Sequence, residues 1–172
     1  MSLSMVTARH LRYQAAMRFV AAWCGAAAAL TGCVLLLGVT QHPWLLASLG
    51  GSCVIVFGMS DTDMAQPRSL LGGHLVAAVT GLVFLKLWHI TGWSKDAWMV
   101  AAVATALVIM MATRTIHSPA GGNPIVIFGE DATWSFLLSP VAPGVLCIFI
   151  VALLANNYAR PAPRGRYPRA WR

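Results

Sequence analysis

The chain has 172 residues, of which 58% are hydrophobic and only 10% are charged, and its formal net charge is +7. Soluble domains of this size carry about 25% charged residues, so the composition excludes a soluble globular protein and indicates an integral membrane protein. The arginines lie at the ends of apolar segments, as the positive-inside pattern and an anionic lipid surface require, which argues against a nucleic-acid partner.

Six apolar segments follow one another along the chain. They cover residues 17–39, 44–59, 70–90, 97–112, 124–129 and 134–154. A helix needs about 20 residues to cross a bilayer, so the first, third and sixth segments are long enough. The second and fourth are marginal, and the fifth is too short to cross as a regular helix. We therefore predict an all-α, polytopic transmembrane protein.

The charges divide the chain into three parts and constrain its topology. We predict a basic cytoplasmic segment at 1–16, a transmembrane domain at 17–155 and a disordered basic tail at 156–172. Basic residues at both ends of the apolar region place both termini in the cytoplasm, which requires an even number of crossings. Either all six segments cross, or the second and fifth are re-entrant and four cross. The expected location is a bacterial inner (plasma) membrane.

A short stretch of sequence occurs twice. Residues 50–58 read "GGSCVIVFG" and residues 121–129 read "GGNPIVIFG", with four identical positions and three Val/Ile exchanges. Each copy is the second of three apolar segments, so the chain is predicted to consist of two three-segment repeats with Gly-rich broken or half-length helices. Chance similarity between two apolar runs is the alternative.

Two glycines before an apolar run indicate a backbone that breaks and then begins a helix. Broken helices at matching positions of two repeats are typical of transporter binding sites, and a helix N-terminus attracts anions. Asn123 and Ser52 are good capping residues, and Pro124 suits a first helical turn. The sequence therefore predicts an anion site at paired helix N-termini near the membrane midplane. Close helix packing is the alternative role for these glycines.

Ionisable residues inside a membrane are costly and are candidates for function. His74 and His117 lie beside glycine- or proline-rich breaks and are predicted to donate hydrogen bonds or to couple protons, although each could be structural. Arg114 and Arg68 could attract an anion or could serve as topological anchors. The predicted substrate-binding residues are Gly50, Gly51, Ser52, His74, Arg114, His117, Gly121, Gly122 and Asn123.

Two stretches of the sequence resemble a known family. "AQPRSLLGGH" and "HSPAGGNPIVIFG" are similar to motifs of the HPP family of small integral membrane proteins, although His117-Ser118-Pro119 stands where that family has His-Pro-Pro. The resemblance implies transport, because plant chloroplast members are associated with nitrite movement across the envelope.

Taken together, these patterns favour a membrane transporter or channel for a small anion, with a nitrite-like monoanion preferred. No nucleophile elbow, phosphate loop or metal-binding motif occurs, so we expect neither an enzyme nor a cofactor or metal. The expected partners are a small anion, the lipid bilayer and a second copy of the chain if it is a homo-oligomer. A non-transporting scaffold or sensor subunit is the alternative, and cation transport through Asp61 and Asp63 is a third.

Overall fold

The computed structural model describes residues 3–37, 42–159, 166–169 and 171, and all regular structure in these ranges is helical. The α-helices are α1 (Leu3–Leu37), α2 (Pro43–Cys53), α3 (Pro67–Thr91), α4 (Lys95–Thr113), α5 (Asn123–Gly129) and α6 (Ala142–Leu154). Wider helical turns at Val54–Gly58, Leu137–Val141 and Ala155–Ala159 extend α2 and both ends of α6, and tight 3-10 turns lie at Asp63–Ala65 and Ser118–Gly122.

The predicted all-α membrane fold is confirmed. Four helical stretches of the described chain are long and apolar enough to cross a membrane, and they are 9–35, 67–91, 95–113 and 137–159. The second apolar segment is a shorter helix, and the fifth contains only the seven residues of α5. The first helix begins at Leu3, well inside the predicted N-terminal segment.

Residues at the helix ends explain where the two longest interior helices stop. Pro67 opens α3, where a missing N–H costs nothing, and Gly92 closes it in the left-handed conformation (φ 64°). Ser94 then caps α4 by accepting a hydrogen bond from the Ala97 N–H at 3.3 Å. Arg114 ends α4, also in the left-handed region (φ 55°).

The helices form a bundle with two distinguishable ends. At the Glu130 end, the His42 side chain bonds to Glu130 and His89 bonds to Asp131. At the Tyr167 end, Tyr167 contacts the loop between α2 and α3.

The two short segments each run from one end of the bundle to the other. The second starts at His42, at the Glu130 end, and finishes in the loop that Tyr167 contacts. The stretch 115–131, which contains the fifth segment, lies beside α3. A Cβ added to Gly72 would meet Thr115, one added to Gly81 would meet Pro124, and His89 bonds Asp131. These contacts cover the 18 residues of α3 from Gly72 to His89, whose ends are about 26 Å apart. Both short segments therefore run lengthwise along the bundle, a course that fits the six-crossing alternative, while four helical stretches of the described chain are long and apolar enough to cross a membrane.

The second segment runs from the Glu130 end to the Tyr167 end and the fifth runs the opposite way, so the two copies are inverted relative to each other. The equivalent positions include Ser52 with Asn123, Val54 with Ile125, Val56 with Ile127 and Phe57 with Phe128. In each copy the third, seventh and eighth positions are buried, whereas the fifth is exposed at 68% and 49%. The predicted repeat is thus a repeat of burial as well as of sequence.

Part of the tail differs from the prediction of disorder. The Tyr167 side chain is buried, and its hydroxyl donates to the Ala65 carbonyl at 2.7 Å. Asn157 bonds both the N–H and the carbonyl of Tyr167, and the Arg169 N–H donates to Gln66 Oε1 at 2.8 Å. Residues 166–169 therefore pack on the bundle through the buried Tyr167 side chain and these hydrogen bonds. Residues 160–165 lie outside the described residues.

Candidate functional site

Four of the predicted site residues meet inside the bundle. Ser52 lies on α2, His74 on α3, His117 before the 3-10 turn, and Asn123 at the start of α5. Their side chains are 0–1% exposed. We call these four residues the buried polar chain. It lies where the two repeat copies and α3 come together.

Hydrogen bonds connect the four side chains in sequence. Asn123 Nδ2 lies 3.1 Å from His74 Nδ1, and His74 Nε2 lies 2.9 Å from Ser52 Oγ. Ser52 Oγ is also 2.9 Å from His117 Nε2, and His117 Nδ1 is 2.8 Å from the Met64 carbonyl oxygen. The two imidazole centroids are 5.2 Å apart.

The backbone carbonyls at the two ends of the chain determine the direction of every bond. Met64 O can only accept, so His117 carries its hydrogen on Nδ1 and its Nε2 accepts from Ser52. Asn123 Nδ2 also donates to the His74 carbonyl at 3.3 Å, which fixes the amide orientation. His74 Nδ1 is therefore an acceptor, and its Nε2–H donates to Ser52. Each link is satisfied with both rings neutral.

Sequence reasoning missed one member of this region. Ser48 Oγ lies 2.8 Å from the Pro119 carbonyl and 3.1 Å from Asn123 Oδ1. Ser48 and Pro119 occupy equivalent positions of the two repeats, so the copies touch each other at this point. The available signal was helical spacing, because Ser48 lies four residues before Ser52 and shares its face of α2.

The predicted pair of helix N-termini is wrong for the first copy. Gly50, Gly51 and Ser52 lie inside α2, which begins at Pro43, and the Ser52 hydroxyl points to the buried polar chain and to the Ser48 carbonyl. In the second copy α5 does begin at Asn123, but its N-cap residue is Gly122 and the Asn123 side chain makes no capping bond. The amide is directed at His74 instead, because a buried imidazole without a partner would be costly.

The four predicted glycines differ in their surroundings. A Cβ added to Gly51 would lie 3.1 Å from Pro119 Cβ, whereas Gly50, Gly121 and Gly122 face open space with nothing within 4 Å. Only Gly51 is closed against a neighbour. Packing is tighter at Gly73, where a Cβ would come within 2.7 Å of both His117 Cβ and the Thr115 carbonyl. That close approach positions His117 beside α3.

The two arginines lie away from the buried polar chain. Arg114 is exposed at the end of α4, and Arg68 is exposed and donates to the Thr113 carbonyl at 2.7 Å. Arg68 therefore satisfies a free carbonyl at the C-terminus of α4. Both are at the Tyr167 end, next to the loop that carries Met64.

A cavity adjoins the buried polar chain. Its volume is about 170 Å³, and it reaches His74 from the side of α6. The other lining residues are apolar and are Leu71, Leu75, Leu137, Val141, Ala142 and Val145. His74 is thus the member of the buried polar chain that borders this cavity.

The sequence of the chain matches a known family of membrane proteins. The family model for the HPP transmembrane region matches residues 11–168. The chain belongs to the HPP transmembrane family. Ser118, which replaces a proline of the HPP motif, begins the 3-10 turn, and Pro119 remains in contact range of Gly51.

Two relatives are similar over most of this HPP chain. Both are transmembrane proteins of Dictyostelium discoideum, 31% identical over 135 residues and 33% identical over 132 residues. The matches cover 76% and 74% of this chain but 46% and 42% of the relatives, so the chain spans less than half the length of the curated relatives it matches. No solved structure matches the chain.

Proposed function

We propose that this HPP protein moves a small anion, a nitrite-like monoanion in preference to others, across the membrane without changing it chemically. The path passes between the two repeats at the buried polar chain. The observation that carries the proposal is the meeting of four fully buried polar side chains, at one point of an apolar bundle, where α2 lies against the broken segment that contains α5.

Energetic cost supports a role in binding. Polar groups inside a membrane protein are expensive and mark solute pathways, and transporters place such groups where discontinuous segments of inverted repeats meet. Ser52 and Asn123 hold equivalent repeat positions, and they bond the two nitrogens of the same His74 ring. His74 is therefore the shared centre of the two repeats.

The buried polar chain supplies hydrogen-bond donors that suit an anion. The Asn123 amide, the His74 Nε2–H and the Ser52 hydroxyl bond to one another in the structure. A monoanion entering beside His74 would accept from the Asn123 amide and the His74 Nε2–H in place of the bonds that these two groups make now. Arg68 and Arg114 would raise the local anion concentration at the Tyr167 end, which faces the cytoplasm in this scheme.

A specific observation favours the scaffold alternative. Every link of the buried polar chain is already satisfied by another link or by a backbone carbonyl. Such a network can hold three segments together without binding any solute. Flux measurements separate the two functions.

The test is anion uptake by purified protein in proteoliposomes. Nitrite is measured first, followed by nitrate, formate, chloride and potassium. Gly121→Leu places a side chain in open space two residues before Asn123 of the buried polar chain. It is compared with Gly129→Leu, which fills open space at the Glu130 end. His117→Ala is compared with His89→Ala, whose side chain is half exposed.

We expect uptake of nitrite above empty vesicles, reduced at least about tenfold in Gly121→Leu and His117→Ala but not in the two controls. Folded protein that transports no anion would contradict the proposal and favour a scaffold. Potassium uptake that depends on Asp61 would instead establish cation transport.

A further inference from the structure

Ser52 has more hydrogen-bond partners than its one hydrogen can serve. Its Oγ lies 2.9 Å from His74 Nε2, 2.9 Å from His117 Nε2 and 3.1 Å from the Ser48 carbonyl oxygen. A hydroxyl donates one bond and accepts two. Two of these partners, His117 Nε2 and Ser48 O, compete for the same hydrogen.

With both rings neutral, the Ser52 hydroxyl donates its hydrogen to His117 Nε2. The His117 Nε2 lone pair needs a donor, and Ser52 is the donor next to it. The Ser48 carbonyl is less dependent on this bond, because it also lies in the backbone ladder of α2. One lone pair of Ser52 Oγ stays unused in this state.

A proton added to His117 leaves every group satisfied. His117 Nε2–H then donates to Ser52 Oγ, and the hydroxyl rotates so that its hydrogen is donated to the Ser48 carbonyl. Ser52 now accepts from both histidines and donates once, which uses its full capacity. The change requires rotation of one hydroxyl and no movement of heavy atoms.

A proton added to His74 has no such outlet. Its free nitrogen, Nδ1, faces the Asn123 amide nitrogen, so protonation would oppose two donors. Turning the amide would direct its oxygen at the His74 carbonyl, which is also an acceptor. The same local structure therefore accepts a proton on one ring and rejects it on the other.

We infer that the buried polar chain is a binding site for a single proton, held on His117 Nε2, with the Ser52 hydroxyl switching between His117 and the Ser48 carbonyl. This inference rests on the proposed function for its role. The positive charge that it creates would be offset by a monoanion at His74, so one proton accompanies one anion. Without an anion, burial disfavours the charged His117 ring, so both histidine rings are then neutral.

The charged and titratable neighbours leave His117 without a carboxylate partner among the described residues. His74 on α3 faces the ring, and on the loop that contacts it Asp63 is exposed. At the end of α4, Arg114 is exposed three residues before His117. An entering anion is therefore the group of opposite charge that this site lacks.

The first test is ¹⁵N NMR of the imidazole groups in the full chain in lipid nanodiscs. Replacing His10, His42 and His89 by Gln leaves two of the five histidines, both in the buried polar chain. We expect one ring with hydrogen on Nδ1 and one with hydrogen on Nε2. On acidification, and at higher pH when nitrite is present, the Nδ1–H ring should become charged while the other keeps its tautomer.

Two rings with the same tautomer, or a first proton on the Nε2–H ring, would overturn the inference whether or not the protein transports anything. Ser52→Ala removes the acceptor of the charged ring, so its titration midpoint should fall by about one pH unit or more. Ser52→Thr keeps the hydroxyl and should restore the midpoint. Ser94→Ala, at the cap of α4, should leave it unchanged. A midpoint that does not respond to Ser52→Ala would also refute the role of Ser52.

The second test measures coupling in proteoliposomes with a trapped pH-sensitive dye. Nitrite and nitrate are used, and empty vesicles correct for entry of the uncharged acid. We expect one proton per anion in the unaltered protein and a proton-to-anion ratio well below one in whatever flux Ser52→Ala retains. Anion flux with no proton movement in the unaltered protein would reject the coupling and leave the proposed transport intact. Absence of any flux would reject transport, and the NMR result would still decide the proton site.

Discussion

The two copies of the repeated sequence bury the same positions but have different backbones. Residues 50–53 continue α2 and 54–58 form a wider turn, whereas 121–122 end a 3-10 turn and 123–129 form a separate short helix. The apolar side chains fill equivalent places in both. The comparison teaches that burial can be repeated in a membrane protein while the hydrogen-bond pattern of the backbone is not.

Proline position accounts for the difference. Pro43 precedes the first pair of glycines by seven residues and opens α2, so the helix is already two turns long when it reaches them. Pro119 and Pro124 lie on both sides of the second pair. A proline inside a helix removes a backbone hydrogen bond and clashes with the preceding turn, so this copy cannot form one continuous helix.

The sharpest difference between the copies concerns Ser52 and Asn123. Asn123 donates to His74 twice and lies next to Ser48, whereas Ser52 shares one hydroxyl among several partners. We expect Asn123→Ala to lower the free energy of unfolding by about 3 kcal/mol, because buried partners are left without bonds at about 1–3 kcal/mol each. Ser52→Ala should cost about 1–2 kcal/mol. Reversible unfolding in mixed micelles measures both.

Asn157→Ala is the matched control, because it removes a partly exposed amide with three bonds near the tail. Its cost should be below that of Asn123→Ala, since water can replace lost bonds there. Equal costs for Ser52→Ala and Asn123→Ala would mean that the two repeat positions are equivalent in energy, contrary to the geometry.

The glycines give a second, smaller contrast between the copies. Gly51 and Gly122 are equivalent, but only Gly51 has Pro119 within 3.1 Å of an added Cβ. Gly51→Ala gains about 1 kcal/mol of helix propensity and loses about 1–3 kcal/mol to overpacking, so we expect a net loss of about 1 kcal/mol. Gly122→Ala should be neutral or stabilising by up to about 1 kcal/mol. The same unfolding experiment checks this, and a reversed order would show that Pro119 yields easily.

Some of this arrangement was readable from the sequence. Length and hydropathy place the second to sixth segments to within a few residues, because each is apolar and bounded by Pro, Gly or charge, but α1 begins at Leu3, well before the predicted start at residue 17. Polar residues beside glycine breaks identified the members of the buried polar chain. Their partners were not predictable, since the bond between Asn123 and His74 joins residues 49 positions apart. The only signal for Ser48 was its spacing of four residues from Ser52, and the contact of Tyr167 with Ala65 spans 102 positions.

The ends of the two copies are also held by different contacts. Tyr167 contacts the loop after the first copy, and substitution of Tyr167 tests that contact. Its hydroxyl holds the loop that follows 50–58, and burial raises the pKa of this phenol above its usual range. The folded state thus favours the protonated form, so this contribution is complete below about pH 10, the value for an unfolded chain, and is lost as pH rises above it. Tyr167→Phe should cost about 1 kcal/mol at pH 7.

The measurement is thermal unfolding of both proteins at pH 7 and pH 10.5 in the same detergent. The difference in unfolding temperature between the two proteins should be smaller at the higher pH. Ionisation of the Tyr167 phenol in the unfolded state destabilises only the unaltered protein. Lysine titration affects both proteins equally and cancels. A gap that stays constant would show that Tyr167 keeps contact with water in the folded protein.

The second copy ends at Glu130, which His42 holds across the bundle. That carboxylate is 20% exposed and its partner 31%, whereas the neighbouring pair of Asp131 and His89 is 62% and 50% exposed. Screening by water weakens the more exposed pair, so we expect Glu130→Gln to cost about 0.5–1 kcal/mol and Asp131→Asn less than about 0.5 kcal/mol. Added salt should reduce the second effect more than the first. Unfolding at two salt concentrations distinguishes them, and equal costs would mean that α2 and α5 are joined by the buried polar chain and apolar packing alone.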